Sequence, residues 1–270
     1  MFSIRRTAPA LLTLALAAEP ARAQLPLEIV VNIPAGRLDV MEGGARIRSY
    51  PVSVGTAGHA TPTGQAGIQR LVWNPSWTPP DSEWARDERP AGPGPNNPMG
   101  RVKMHLFQDY YVHGTPARNE RFLGRPASHG CIRMRNADVM ELARLVLRAD
   151  GVPVSDETLQ GLIDNPRRTR EMRLNGRVQV RIEYRLAEAE ADSVTLHPDV
   201  YGRATGSRYA ERVRQELRTA GADPAVVEHA AITRAPHAPL RLARYVVPPI
   251  VPVALPAPAG RPAFGDVAMR

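Results

Sequence analysis

Cys131 is the only cysteine in the 270-residue chain. It has no partner for an intramolecular disulfide, and a leftover cysteine in an exported chain is a candidate reactive thiol. Its surroundings are Ser128, His129, Gly130 and Arg133, polar and cationic rather than the apolar company of a cysteine that only fills space. Cationic neighbours favour the thiolate, which is the nucleophilic form. Two histidines offer themselves as the base. In an extended stretch His129 projects from the same face as Cys131, roughly 6.5 to 7 Å away at the root, so it can lean over the thiol. His113 lies eighteen positions upstream and reaches the thiol once the intervening loop folds back. A base that works through both attack and expulsion needs its ring held by a separate element and oriented by a third group. That favours His113, which ends the strand-like Tyr110-Tyr111-Val112 and is followed by Gly114, whose turn leaves a carbonyl free to orient the imidazole. Gly130 lets backbone come close, so amides from His129 to Cys131 are candidate oxyanion donors, each worth about 3 to 4 kcal/mol. Arg133 suits a bidentate hold on a substrate carboxylate; a structural ion pair is its alternative.

These groups need strands and one helix to hold them. Leu27, Ile29, Val31 and Ile33 alternate with Glu28, Val30 and Asn32, a strand with one buried face. Gly36 and Gly43-Gly44 punctuate the pieces that follow, so Leu38–Met41 and Ile47–Val54 read as hairpin partners. Strands resume at Val102–Leu106 and Tyr110–His113. After the cysteine block, Asn136 offers a cap and Asp138 a first-turn acid for a helix that repeats Val139, Leu142, Ala143, Val146 and Leu147 and stops at Gly151 and Pro153. This helix is expected to pack behind the nucleophile loop. Ser155 is placed to cap a second helix running to about Ile163. Val178, Val180 and Ile182 return to strand alternation. Repeated short strands with frequent turns predict a mainly β chain with flanking helices, a sandwich or barrel.

The run His113-Gly114-Thr115, Gly124 and Ser128-His129-Gly130-Cys131-Ile132-Arg133-Met134 resembles the catalytic signature of the L,D-transpeptidases, enzymes of bacterial cell-wall cross-linking. Thr61-Pro62-Thr63-Gly64, Asn74-Pro75-Ser76-Trp77-Thr78-Pro79-Pro80 and Gly92-Pro93-Gly94-Pro95-Asn96-Asn97-Pro98-Met99-Gly100 resemble further blocks of that family in their usual order. The likeness covers residues 27–148 well and 172–203 more weakly, where Asp199-Val200-Tyr201-Gly202-Arg203 is similar to the end of the catalytic domain in some larger members. It implies a cysteine acyltransferase that needs no cofactor and no metal. Cys131 and His113 would be catalytic, with Gly114, Ser128, His129, Gly130 and Arg133 around the oxyanion and substrate. The implied substrate is a peptidoglycan stem peptide, and the acceptor is a second stem, an outer-membrane protein or a lipoprotein. Water as acceptor, giving a carboxypeptidase or endopeptidase, and a non-enzymatic wall binder are the alternatives.

The remaining sequence sets the context. Residues 1–23 read as an export leader: Arg5 and Arg6, an apolar run from Ala8 to Ala18, and Ala21-Arg22-Ala23 before Gln24. The run is too short to span a bilayer. The expectation is a periplasmic protein without a transmembrane segment. Its catalytic unit is placed at 24–150, an extension of helix and strands at 151–206, and a helical then Pro/Ala-rich tail at 207–270, extended or disordered from Ala235. The net charge of +8 suits an anionic wall or lipid surface. Yet Lys103 is the one lysine among 35 basic residues, a bias expected of a GC-rich genome. No basic cluster interleaved with aromatics marks a nucleic-acid surface. Trp73 and Trp77 are candidates either for a groove wall or for cover over the core. Residues 81–97 are long for a structureless connection, which favours a lid or binding loop. Glu188, Glu190 and Asp192 lack metal-site spacing and a nearby histidine, and read as a solvated acidic loop.

Overall fold

Apolar alternation becomes strands throughout the computed structural model, which describes residues 25–190, 193–232 and 243–246. The leader at 1–23 and most of the tail beyond Ala235 lie outside the described residues. In chain order the elements are β1 (Leu27–Asn32), β2 (Arg37–Glu42), β3 (Ala45–Pro51), β4 (Val54–Gly55), β5 (Gly64–Gly67), β6 (Arg70–Trp73), β7 (Val102–Phe107), β8 (Tyr110–Thr115), β9 (Pro126–Ser128) and β10 (Ile132–Arg135). Helices α1 (Asn136–Asp150) and α2 (Asp156–Asp164) follow. The chain then continues through β11 (Arg170–Arg173), β12 (Gln179–Glu183), β13 (Ala187–Glu190), β14 (Ser193–Leu196), α3 (Ser207–Thr219), α4 (Pro224–Ile232) and β15 (Ala243–Val246).

Two five-stranded sheets carry the fold, ordered β3-β2-β1-β12-β5 and β10-β8-β7-β6-β11. Ile29, Val31, Leu38 and Val180 of the first join Leu71, Met104, Val112 and Ile132 of the second in one buried core. The protein is therefore mainly β with flanking helices. The connection between the sheets runs past the site. Ser53 exchanges backbone hydrogen bonds of 2.8 and 2.9 Å with Arg133, and β4 pairs in parallel with β9, so the chain leaving the first sheet grips both sides of the cysteine loop.

Helix α1 forms where periodicity places it, and its buried Val139, Leu142, Val146 and Leu147 each contribute about 1.5 to 3 kcal/mol on burial. It packs on β7, β8 and β10, behind the strands that carry His113 and Arg133. Asn136 is not its cap. Arg135 holds that position, while the Asn136 amide accepts from Arg101 N at 2.9 Å and donates to Thr115 O at 2.9 Å, tying the helix start to the end of β8. Ser155 does cap α2, accepting from Thr158 N at 3.2 Å.

Trp73 closes β6 and is fully buried, so of its two candidate roles it fills the core. The acidic stretch also departs from expectation. The β13–β14 hairpin brings His197 Nε2 to 3.3 Å from Glu188, a neighbour that linear spacing hides, and Glu188 is paired with Arg37 at 2.7 Å as well. Part of the expected tail, Ala243–Val246, is a strand against β14. Among the described residues no helix is long and apolar enough to cross a membrane.

Candidate active site

Strand register assembles the site. Lys103 lies opposite His113 across the β7/β8 pair, and Arg133 lies opposite His113 across β8/β10. Residues in register share a face, because side chains alternate with a period of two. Arg133, His113 and Lys103 thus stand in one row, with Tyr111 and His105 in the next. Leu71, Met104, Val112 and Ile132 occupy the opposite face, in the core. One sheet therefore presents apolar residues on one side and titratable groups on the other. Cys131 immediately precedes β10 and so belongs to the polar side, beside Tyr111.

His113 is only 3% exposed. Its Nδ1 lies 2.6 Å from the Gly114 carbonyl oxygen. A carbonyl can only accept, so Nδ1 carries the proton and Nε2 is left as a bare acceptor. Burial, reinforced by Arg133 and Lys103, pulls the imidazole down to about 3, so it is neutral at neutral pH. Gly114 does not turn the chain as its sequence suggests: it stays within β8, opposite Met134, and what it requires is the absence of a side chain. A Cβ on Gly114 would collide with Asn136 Oδ1, the same atom that receives the Arg101 amide.

Cys131 is half-buried. Its thiol donates to the Asp109 carbonyl at 3.5 Å and receives the Tyr111 amide; it does not hydrogen-bond His113. Burial pushes the thiol up, outweighing the Tyr111 amide, Arg133 and Lys103, which favour the thiolate. The basic neighbours visible in sequence do not decide its state. Desolvation does, and the resting pair is a neutral thiol and a neutral imidazole.

The loop holding Cys131 is fixed by small polar groups. Ser128 Oγ donates to Cys131 O at 2.6 Å and accepts from Gly130 N at 3.0 Å, so the Gly130 amide is already engaged. Gly130 sits at φ +112°, and a Cβ there would stand 2.7 Å from the Tyr110 ring. Thr61 Oγ1 donates to Gly130 O at 2.8 Å and accepts from Gly55 N at 2.8 Å. Behind Thr61 stands Tyr201, whose hydroxyl donates to Gly55 O at 2.8 Å and accepts from Thr61 N at 3.1 Å. Removing that hydroxyl leaves a part-buried carbonyl and a part-buried amide each without this partner, a loss of about 1 to 3 kcal/mol. Tyr201→Phe is accordingly expected to lower the melting temperature measurably by calorimetry. An unchanged value would mean water replaces the hydroxyl.

His129 is exposed and turned outward. It stacks on Trp84 with ring centroids 4.1 Å apart and 3° between planes, and meets His59 edge-on at 4.8 Å. Trp84 comes from the long 81–97 connection, which thus reaches His129. Arg133 donates to Ala127 O at 3.2 Å. Among the described residues no carboxylate lies within ion-pair distance of it, so the structural ion pair is absent.

Cys131, His113, Gly114, Ser128, His129, Gly130 and Arg133, singled out in the sequence, lie near one another at the β8/β10 edge. Sequence reading missed Trp84, His59, Thr61, Tyr201 and Lys103 as their neighbours. Thr61 and Tyr201 stood in the family-like blocks and Trp84 in the 81–97 connection without a role being read from them, and Lys103 carried a signal as the single lysine of an arginine-rich chain.

Comparison with known proteins follows the same lines. A family model for the YkuD L,D-transpeptidase catalytic domain matches residues 26–155. The Fuscovulum blasticum protein named as an L,D-transpeptidase in the ATP synthase subunits region is 42% identical over 107 residues, 38% of this chain and 55% of that one. YbiS of Escherichia coli K12, also named as an L,D-transpeptidase, is 30% identical over 193 residues, 64% of this chain and 61% of that one. YkuD of Bacillus subtilis 168 is 31% identical over 132 residues, 48% of this chain and 67% of that one. The chain spans little more than half the length of the first two.

Proposed function

Because the chain belongs to the YkuD family of L,D-transpeptidase catalytic domains, we propose that it is an exported acyltransferase acting on peptidoglycan stem peptides. The observation that carries this reading is the Nδ1–H contact of His113 with Gly114 O, which leaves Nε2 free on the sheet face from which the β10 row projects.

In the first half-reaction His113 Nε2 takes the Cys131 thiol proton, and the sulfur attacks the carbonyl carbon of the L-centre that precedes the terminal D-residue. The oxyanion is met by the Cys131 backbone amide, since the Gly130 amide is held by Ser128. The C–N bond breaks, the imidazolium returns its proton to the departing D-alanine nitrogen, and an S-acyl thioester remains. In the second half-reaction His113 accepts a proton from an incoming amine as its nitrogen attacks the thioester. The C–S bond breaks and the thiolate regains the proton. Splitting one amide exchange into two easier steps is what a covalent intermediate provides. A protonated thiol in the free protein means that the base acts during attack rather than storing a thiolate beforehand.

Incubation of the purified protein with disaccharide tetrapeptides, followed by mass spectrometry, tests the reading. Cross-linked dimers that have lost one D-alanine are expected. Tripeptides alone would identify water as the acceptor, and unchanged tetrapeptide would overturn the proposal.

Arg133 is assigned to a carboxylate on the acyl side of the substrate, being half-buried and, among the described residues, without an acidic partner. Arg133→Lys keeps the charge and loses the planar fork. Turnover is expected to fall about tenfold or more with little change in melting temperature, since a charge-assisted hydrogen bond is worth roughly 1.5 to 3 kcal/mol. A large stability loss with normal turnover per folded molecule would return Arg133 to a structural role.

A further inference from the structure

We propose that Lys103 is a second anion-binding residue of the site, holding the carboxylate of the substrate's leaving residue on the far side of His113 from Arg133. The inference rests on the acyl-transfer reading and adds a specificity determinant to it.

Placement is the first argument. Arg133, His113 and Lys103 occupy three adjacent strands in one register row, β10, β8 and β7. The nucleophile belongs to the β10 side. The leaving nitrogen has to collect its proton from His113, so the departing residue lies over β8 and extends toward β7. Its carboxylate is two bonds beyond that nitrogen. The next side chain in the row is Lys103.

The second argument is the state of the lysine itself. Lys103 is half-buried and, among the described residues, makes no hydrogen bond and no ion pair. Its Nζ stands 5.4 Å from the centroid of the Tyr111 ring, leaning toward the residue whose amide meets the Cys131 sulfur. Burial, then nearby Arg70, disfavours its charged form, and Glu171 and Cys131 offset this only in part. A carboxylate arriving beside it reverses the balance by favouring the ammonium. The third argument is composition. Among 35 basic residues only this one is lysine, at the position facing the candidate base. A compact ammonium on a flexible stem acts there as a point charge.

The experiment compares two donors with the full-length protein: a disaccharide tetrapeptide with a free terminal carboxylate, and the same molecule as its terminal carboxamide. Acylation of Cys131 is followed by intact mass in the wild type, Lys103→Met and Lys103→Arg, with Lys103→Gln as the substitute if the apolar variant does not fold. In the wild type the carboxamide is expected to lower kcat/KM by about ten- to a hundredfold. Lys103→Met should lose a similar factor on the carboxylate and almost none on the carboxamide. Lys103→Arg should keep part of the discrimination. Equal losses on both donors would overturn the proposal and leave Lys103 a packing partner of Tyr111. An unchanged preference for the carboxylate in Lys103→Met would overturn it too. If the wild type acylates neither donor, the acyl-transfer reading fails and this proposal with it.

Discussion

Exchange of His113 for glutamine is expected to slow acylation of Cys131 by about a hundred- to ten-thousandfold, the range for removal of a general base. The pH midpoint for alkylation of the thiol by a small reagent should stay where it stands in the wild type. These two outcomes belong together because the resting pair is neutral. Burial holds the thiol protonated, and the imidazole carries no charge near neutrality. Removing a neutral ring does not alter the field at the sulfur. A stored thiolate–imidazolium pair would behave differently, since losing the cation would move the alkylation midpoint up by a pH unit or more. Such a shift in His113→Gln would show that the pair is ionised before substrate arrives. His129→Gln serves as the comparison. Its ring is stacked on Trp84 and edge-on to His59, so its loss should perturb that ring cluster rather than proton transfer.

The difference between what the sequence displays and what it conceals follows from distance along the chain. The Ser128–Arg133 block and the α1 periodicity are local, and both were legible. The carbonyl that meets the His113 ring was legible as well, because Gly114 O lies one residue away in sequence. Register is not local. No spacing rule places Lys103 opposite His113, because β7 and β8 can slip by two residues without moving an apolar side chain to the wrong face. Asn136 looked like a cap because it opens an apolar run. Its amide instead serves Arg101 and Thr115, contacts made 35 and 21 residues away. Trp73 and Trp77 attracted attention in a proline-rich block, yet it is Trp84, in an unpatterned loop, that reaches the site. The sign of the Cys131 shift was misread for the same reason. Neighbours in sequence report charge, whereas burial is a property of the fold and here dominates.

Burying a neutral histidine makes stability depend on acidity, and His113 sets the direction. In the unfolded chain it titrates near its ordinary 6.5, and in the folded protein near about 3. Between those values the unfolded state binds the extra proton, so stability rises with pH and is lost as pH falls from about 6.5. The slope is about 1.4 kcal/mol per pH unit for one proton. Carried down to about 3, the loss is on the order of 5 kcal/mol, a large share of a typical domain's total. Glu188 also contributes in acid. It is held well below the usual carboxylate range by His197 and Arg37, against its own burial, so its contribution is lost only below about pH 4.5. His129, lowered by burial, and Glu183, raised by burial, also titrate between 6.5 and 4.5, so it is the difference between the wild type and His113→Gln that isolates His113 there. Urea unfolding across that window should show the wild type losing stability about one proton's worth more steeply than His113→Gln. Parallel curves for the two proteins would mean that His113 takes up a proton in the folded state, and the neutral base assigned to it would be wrong.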